Sequence, residues 1–130
     1  MSTASKHTIL IVEDQPPMRG AIADVLRSAG YDVVEVWNGQ QAMSTLDEHR
    51  QPGSTLCLVL LDLMMPGVDG FQVLHHLAGL GSYVPVVAMS AYPDGLIDAR
   101  AAGACATLRK PFDVDELIAA IQKNCAHQLV

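Results

Sequence analysis

The 130 residues amount to one ordinary domain, long enough to bury a core without help from a disulfide or a structural metal. Eight basic against fourteen acidic side chains leave a net charge of −6, which excludes a generic grip on nucleic acid, because neutralising phosphates takes clustered Lys and Arg. Half of the residues are hydrophobic, yet no apolar run approaches bilayer length, and Leu56 to Met65 is interrupted by Asp62, so no membrane span is expected.

The opening MSTASKHT is polar and lacks the apolar core of a secretory signal, which points to the cytoplasm. Cys57, Cys105 and Cys125 have neither the even count nor the close spacing of a disulfide framework or a zinc site. Three reduced, mostly buried small residues are the expectation.

Along the chain, short apolar runs alternate with longer segments of helical spacing, the pattern of strand and helix units laid in sequence. Ile9 to Val12 is the first strand. Pro16 and Pro17 then suit a helix start; Met18, Ile22, Val25, Leu26 and Ala29 share a face before Gly30 stops the helix. Tyr31 to Val36 is the second strand, punctuated by Asn38-Gly39, and Gln41 to His49 a helix turning Ala42, Met43 and Leu46 to the core. After a loop from Gln51 to Thr55, Leu56 to Leu61 is the third and most apolar strand, followed by a helix face of Phe71, Leu74, Leu77 and Ala78.

Pro85 to Met89 is the fourth strand, and Asp94 to Ala102 a weakly amphipathic helix whose main apolar members are Leu96, Ile97 and Ala101. Ala104 to Leu108 is the fifth strand, and Asp113-Val-Asp-Glu116 reads as a capping box opening a helix through Leu117, Ile118 and Ile121. Five such units with near-continuous apolar strands predict a single domain over 1–130, an α/β doubly wound parallel sheet covered by helices on both faces.

In such a sheet ligands sit beyond the carboxyl ends of the strands. Those ends carry Glu13 and Asp14, Asp62, Ser90, and Lys110-Pro111. If the first and third strands are neighbours, three carboxylates meet, and like charges that close need something to offset them. Mg²⁺ (or Mn²⁺) answers this economically, since it favours carboxylate oxygens and tolerates a partly open site. Lys110 adds a point charge and Ser90 a hydroxyl, which together meet the needs of phosphoryl transfer, with Asp62 the natural nucleophile.

Four blocks, ILIVEDQ, LVLLDLMMPGVDG, VVAMSA and LRKPF, stand at the ends of successive predicted strands. Carrying these in order, the chain resembles the receiver domain of two-component response regulators over nearly its whole length. The resemblance implies a flavodoxin-like (βα)5 sandwich with strand order 2-1-3-4-5. It implies that Asp62 is the phosphoacceptor, taking its phosphoryl group from a phosphohistidine on a histidine kinase or phosphotransfer protein. Mg²⁺ would be held by Glu13, Asp14, Asp62 and the backbone carbonyl of Met64. Lys110 would pair with Asp62 and then the phosphate, Ser90 would be drawn to the phosphoryl group, and the Lys110-Pro111 bond would be cis.

The family usually has an aromatic residue three places before the Lys, where this chain has Thr107. A Thr cannot make the same inward rotation, so output would run through the Tyr92 loop and the following helix, or switching would be muted. Met64 and Tyr92 occupy places that influence water attack on the phosphoaspartate, and neither orients water well, which predicts a persistent phosphorylated state. The Asp94 to Asn124 region is the family's usual output surface toward a downstream protein or effector domain, the chain itself acting as a monomer or a phosphorylation-dependent dimer.

The remaining polar residues have plainer readings. Asp69-Gly70 is a turn and cap, His75 and His76 point different ways, and Trp37 is a partly exposed ring at a strand end. A haloacid dehalogenase type hydrolase would need an acid where Met64 stands. A nucleotide or flavin binder would need a Gly-rich or hydroxyl-rich first turn where the chain has EDQPP. A pseudo-receiver that binds partners without phosphorylation is the alternative function. The ending NCAHQLV suits a stand-alone regulator or the N-terminal part of a longer protein.

Overall fold

A computed structural model describes residues 7–49, 54–65, 67–80 and 84–125; residues 51–53 of the expected loop and the first six and last five residues lie outside it. In chain order the elements are β1 (Thr8–Val12), α1 (Pro16–Ser28), β2 (Asp32–Val36), α2 (Gly39–Glu48), β3 (Leu56–Asp62), α3 (Gly70–Leu80), β4 (Val86–Ser90), α4 (Pro93–Ala101), β5 (Ala106–Arg109) and α5 (Val114–Asn124). The strands form one parallel sheet in the order β2-β1-β3-β4-β5, the doubly wound arrangement that the alternating pattern predicts.

Side-chain alternation along the strands divides the core in two. Ile9 and Ile11 of β1, Leu58 and Leu60 of β3, and Val87 and Met89 of β4 pack with Ile22, Ala23 and Leu26 of α1 and Leu117 and Ile121 of α5. Leu10, Val12, Val59, Leu61, Val86 and Ala88 face the other way, onto α2, α3 and α4. Every residue of β1, β3 and β4 is buried, whereas the edge strands β2 and β5 are only partly so. Each aliphatic side chain removed from water in this way stabilises the fold by about 1.5–3 kcal/mol, so the three central strands are the most firmly held elements.

Local signals set the boundaries. Pro16 and Pro17 open α1, where the missing N–H groups would have had no helical partner. Gly30 closes it at φ 98°, a left-handed conformation that lets its N–H reach Arg27 O (3.0 Å) and the Tyr31 N–H reach Leu26 O (3.1 Å). Asp113 caps α5 in the expected box, accepting from the Glu116 N–H at 2.8 Å while the Glu116 carboxylate accepts from the Asp113 N–H at 3.1 Å.

Three expectations are corrected. In α3 the core face is Val73, Leu74 and Leu77, and Ala78 is exposed, because the helix begins at Gly70 and its buried stripe is rotated toward Val73. In α4, Leu96 and Ala99 are buried while Ile97 and Ala101 face out; a nine-residue helix with one bulky residue against the sheet leaves Ile97 exposed. Cys57 and Cys125 form a disulfide and only Cys105 is a free, exposed thiol. The start of β3 and the end of α5 bring together two cysteines 68 residues apart, a meeting that close-spacing rules do not register.

Candidate active site at the strand exits

The exits of β3, β4 and β5 are tied together by main chain. The Leu63 N–H donates to Met89 O (3.0 Å) and the Lys110 N–H to Ser90 O (2.9 Å), so β3, β4 and β5 leave the sheet in a fixed relation. The peptide bond Lys110-Pro111 is cis, as expected. Within this frame the carboxylate oxygens of Glu13, Asp14 and Asp62 lie within 4.8 Å of one another. Glu13 (0% exposed), Asp62 (3%) and Ser90 (1%) are buried, in a molecule whose only other buried polar residue among those described is Thr8.

Each buried group has defined partners. Glu13 accepts from the Gln15 N–H at 3.2 Å and from Lys110 Nζ at 2.7 Å. Its backbone carbonyl accepts from Arg19 Nη1 at 3.0 Å, and Arg19 lies 5.5 Å from the Trp37 ring centre and 3.5 Å from Glu35. Asp62 Oδ1 accepts from the Met64 N–H at 3.1 Å, and Asp62 Oδ2 stands 3.6 Å from Lys110 Nζ. Ser90 Oγ accepts from the Tyr92 N–H at 3.0 Å, which leaves its own proton to donate.

The resemblance implied Lys110 paired with Asp62; the shorter contact is with Glu13. Glu13 is the more deeply enclosed carboxylate, so a cation is worth most there. Asp62 is left under-compensated, and its carboxyl is pushed from 3.8 up to about 7. Burial is the largest cause, with the Glu13 charge and a hydrogen bond to Glu13 adding to it; the Met64 N–H and Lys110 act in the opposite direction. One ammonium among three clustered carboxylates, with Asp62 displaced toward its neutral form, is a donor set that fits a hard divalent cation.

The remaining residues surround this cluster. Met64 (60% exposed) and Tyr92 (62%) stand open beside it, Tyr92 at the N-cap of α4. Thr107 is half-buried on β5, paired with Ala88 of β4. A depression of about 490 Å³ lies next to Asp14 and Met64, with Asp69 on its wall. Asp69 serves as a cap, exchanging hydrogen bonds with Gln72 at 2.9 and 3.1 Å. His76 meets Asp47 at 2.9 Å, His75 is exposed, and Trp37 is half-exposed just after β2.

Two glycines whose sequence context signals only turns, Gly39 and Gly70, shape the loop after β3. A Cβ on Gly70 would lie 2.7 Å from Leu63 Cα and 2.9 Å from Asp62 O, and one on Gly39 would collide with the Val68 carbonyl. Only glycine lets α3 and α2 close on this loop. Their signal in the sequence is weak, because a glycine beside Asn or Asp reads equally well as a turn.

The model of the family described as the response regulator receiver domain matches residues 9–122 of the chain. The chain belongs to the response regulator receiver family. It is 34% identical to sporulation initiation phosphotransferase F of Bacillus subtilis over 117 residues, 88% of the receiver and 90% of that protein. It is 37% identical to the chemotaxis protein CheY of Bacillus subtilis over 121 residues, 91% and 97% of the two chains. Among solved structures, a putative response regulator from Chloroflexus aurantiacus superposes with a TM-score of 0.82 at 27% identity, covering 93% of the receiver and 98% of that chain. The receiver also spans 44% and 57% of the length of two longer transcriptional regulatory proteins. Its place is thus in two-component regulatory systems, and none of its described helices is long and apolar enough to cross a membrane.

Proposed function

We propose that this receiver, residues 1–130 acting as one unit, accepts a phosphoryl group on Asp62 from a phosphohistidine donor, a histidine kinase or a phosphotransfer protein, and thereby changes its binding to a partner. It acts as a cytoplasmic switch that phosphorylates and dephosphorylates itself and turns over no other substrate. The observation that carries this reading is the convergence of Glu13, Asp14 and Asp62 with Lys110 at the strand exits, Ser90 ending the adjacent strand.

Glu13, Asp14, Asp62 and the Met64 carbonyl are the residues to hold Mg²⁺. When bound, the cation supplies the positive charge that keeps Asp62 ionised and offsets the charge spreading over the phosphoryl oxygens. The chain's own groups do the rest. The Met64 N–H orients the Asp62 carboxylate, one oxygen of which forms the bond to phosphorus as the bond to the donor imidazole breaks. Lys110, already between Glu13 and Asp62, moves its charge onto the new phosphoryl oxygens. The Ser90 hydroxyl donates to one of them.

Because the Ser90 oxygen also holds the Tyr92 N–H, a shift of Ser90 is passed to the N-terminus of α4. The output face is the Asp94 to Asn124 region that the resemblance implies, with movement carried by the Tyr92 loop in place of an aromatic residue at Thr107. It meets a protein or an effector domain and makes no direct contact with nucleic acid. Intact mass after incubation with acetyl phosphate and Mg²⁺ tests the proposal: wild type gains one phosphate and Asp62→Asn gains none. No gain by wild type would overturn it in favour of a pseudo-receiver.

A further inference from the structure

At the far end of β3 from Asp62 lies a second cluster. Cys57 is the second residue of that strand and Asp62 its last, about 16 Å apart at 3.3 Å per residue. The Cys57 sulfur is bonded to that of Cys125, which directly follows α5, with the two Cα atoms 5.3 Å apart. His7, just before β1, places Nδ1 4.0 Å from the Cys125 sulfur, and ligand atoms of all three residues lie within 4.8 Å of one another. Both cysteines are buried among Tyr31, Ile9 and Ile121, and the receiver chemistry uses none of the three.

We propose that Cys57, Cys125 and His7 form a reversible thiol–disulfide site, reduced by dithiols, whose state sets how firmly the last turn of α5 is held on the sheet. In the cytoplasm expected for this chain, disulfides are mostly transient and redox-sensing, which favours a bond that is made and broken. Access is asymmetric. Cys57 is wholly enclosed in the sheet, whereas Cys125 ends α5, held through its N–H to Ile121 O (2.9 Å), and one opened turn uncovers it.

A dithiol thiolate therefore attacks the Cys125 sulfur, the Cys57–Cys125 bond breaks, and Cys57 leaves as a thiolate. The second thiol of the reductant displaces Cys125 from the mixed disulfide. Two electrons pass to the pair, the reductant departs as a cyclic disulfide, and its two protons end on Cys57 and Cys125. The His7 imidazole lies where the proton reaching Cys125 is relayed.

The native receiver equilibrated in buffers of graded reduced-to-oxidised dithiothreitol, then acid-quenched, denatured and alkylated, reports the state by intact mass. One adduct, on Cys105, is expected at the oxidising end and three at the reducing end, with return to one on reoxidation. Three adducts throughout, one throughout, or peptide mapping that pairs other cysteines would overturn the site. Hydrogen exchange of residues 118–125 reads the brace: exchange accelerates on reduction of wild type and is insensitive to reductant in Cys57→Ala. Equal exchange in oxidised and reduced wild type would overturn the link to α5.

Discussion

Replacing Asp62 by Asn should make the unliganded receiver more stable at alkaline pH. The carboxyl ionises near 3.8 in the unfolded chain and near 7 in the fold, so between these values the native state binds more protons than the unfolded one. Stability from this group is therefore undiminished below about pH 4, falls as pH rises toward 7, and stays reduced above it. At about 1.36 kcal/mol per pH unit the penalty is at most about 4 kcal/mol, and solvent screening at the open mouth of the site lowers it. The amide of the variant loses little in return, because Lys110 keeps its shorter contact with Glu13. Urea titrations in EDTA at pH 8 should show Asp62→Asn more stable by about 2–4 kcal/mol, equivalent to a Tm higher by roughly 6–15 °C. The gap should close near pH 4, and Mg²⁺ at pH 8 should stabilise wild type but not the variant. Equal stabilities at pH 8, or a gap that persists at pH 4, would refute the reasoning.

Gly70→Ala puts a methyl group against Leu63 Cα and the Asp62 carbonyl, and should cost about 2–3 kcal/mol in urea unfolding and lower the yield of phosphorylated protein. A change below about 0.5 kcal/mol would show that the loop yields freely. Lys110→Met leaves Glu13 enclosed without its cation; a loss of about 3 kcal/mol is expected, together with failure to retain phosphate from acetyl phosphate. Met64→Asn with Tyr92→Glu places water-orienting groups on two side chains that stand open beside Asp62, and should shorten the lifetime of the phosphorylated form by roughly tenfold. An unchanged rate in a phosphate-release assay would rule out control by these positions.

What could be read from the sequence followed from how directly each feature is written in it. β3 announces itself because a strand buried on both faces must be apolar throughout, and Asp62 stands out against it. Glu13, Asp14 and Ser90 were legible for the same reason, each at the end of such a run, and Lys110 through the Lys-Pro pair that follows the shorter edge strand β5. Which carboxylate Lys110 prefers was not, since the choice between 2.7 and 3.6 Å depends on relative burial that a motif does not encode. The disulfide was hidden by its 68-residue separation. Val73 for Ala78, and the outward Ile97, reflect rotation of helices by packing: one residue's change of register turns a helix by about 100°, and short faces leave that rotation open.

The hydrogen bonds from Leu63 to Met89 and from Lys110 to Ser90 join main chain to main chain. Any side chain at positions 62 and 90 would leave the sheet at the same place and in the same direction. Architecture and reactivity are thus inherited separately in this fold: a lineage is free to lose the carboxylate at 62 or the hydroxyl at 90 without rebuilding the frame, and to regain either by a single substitution into geometry that has been waiting for it.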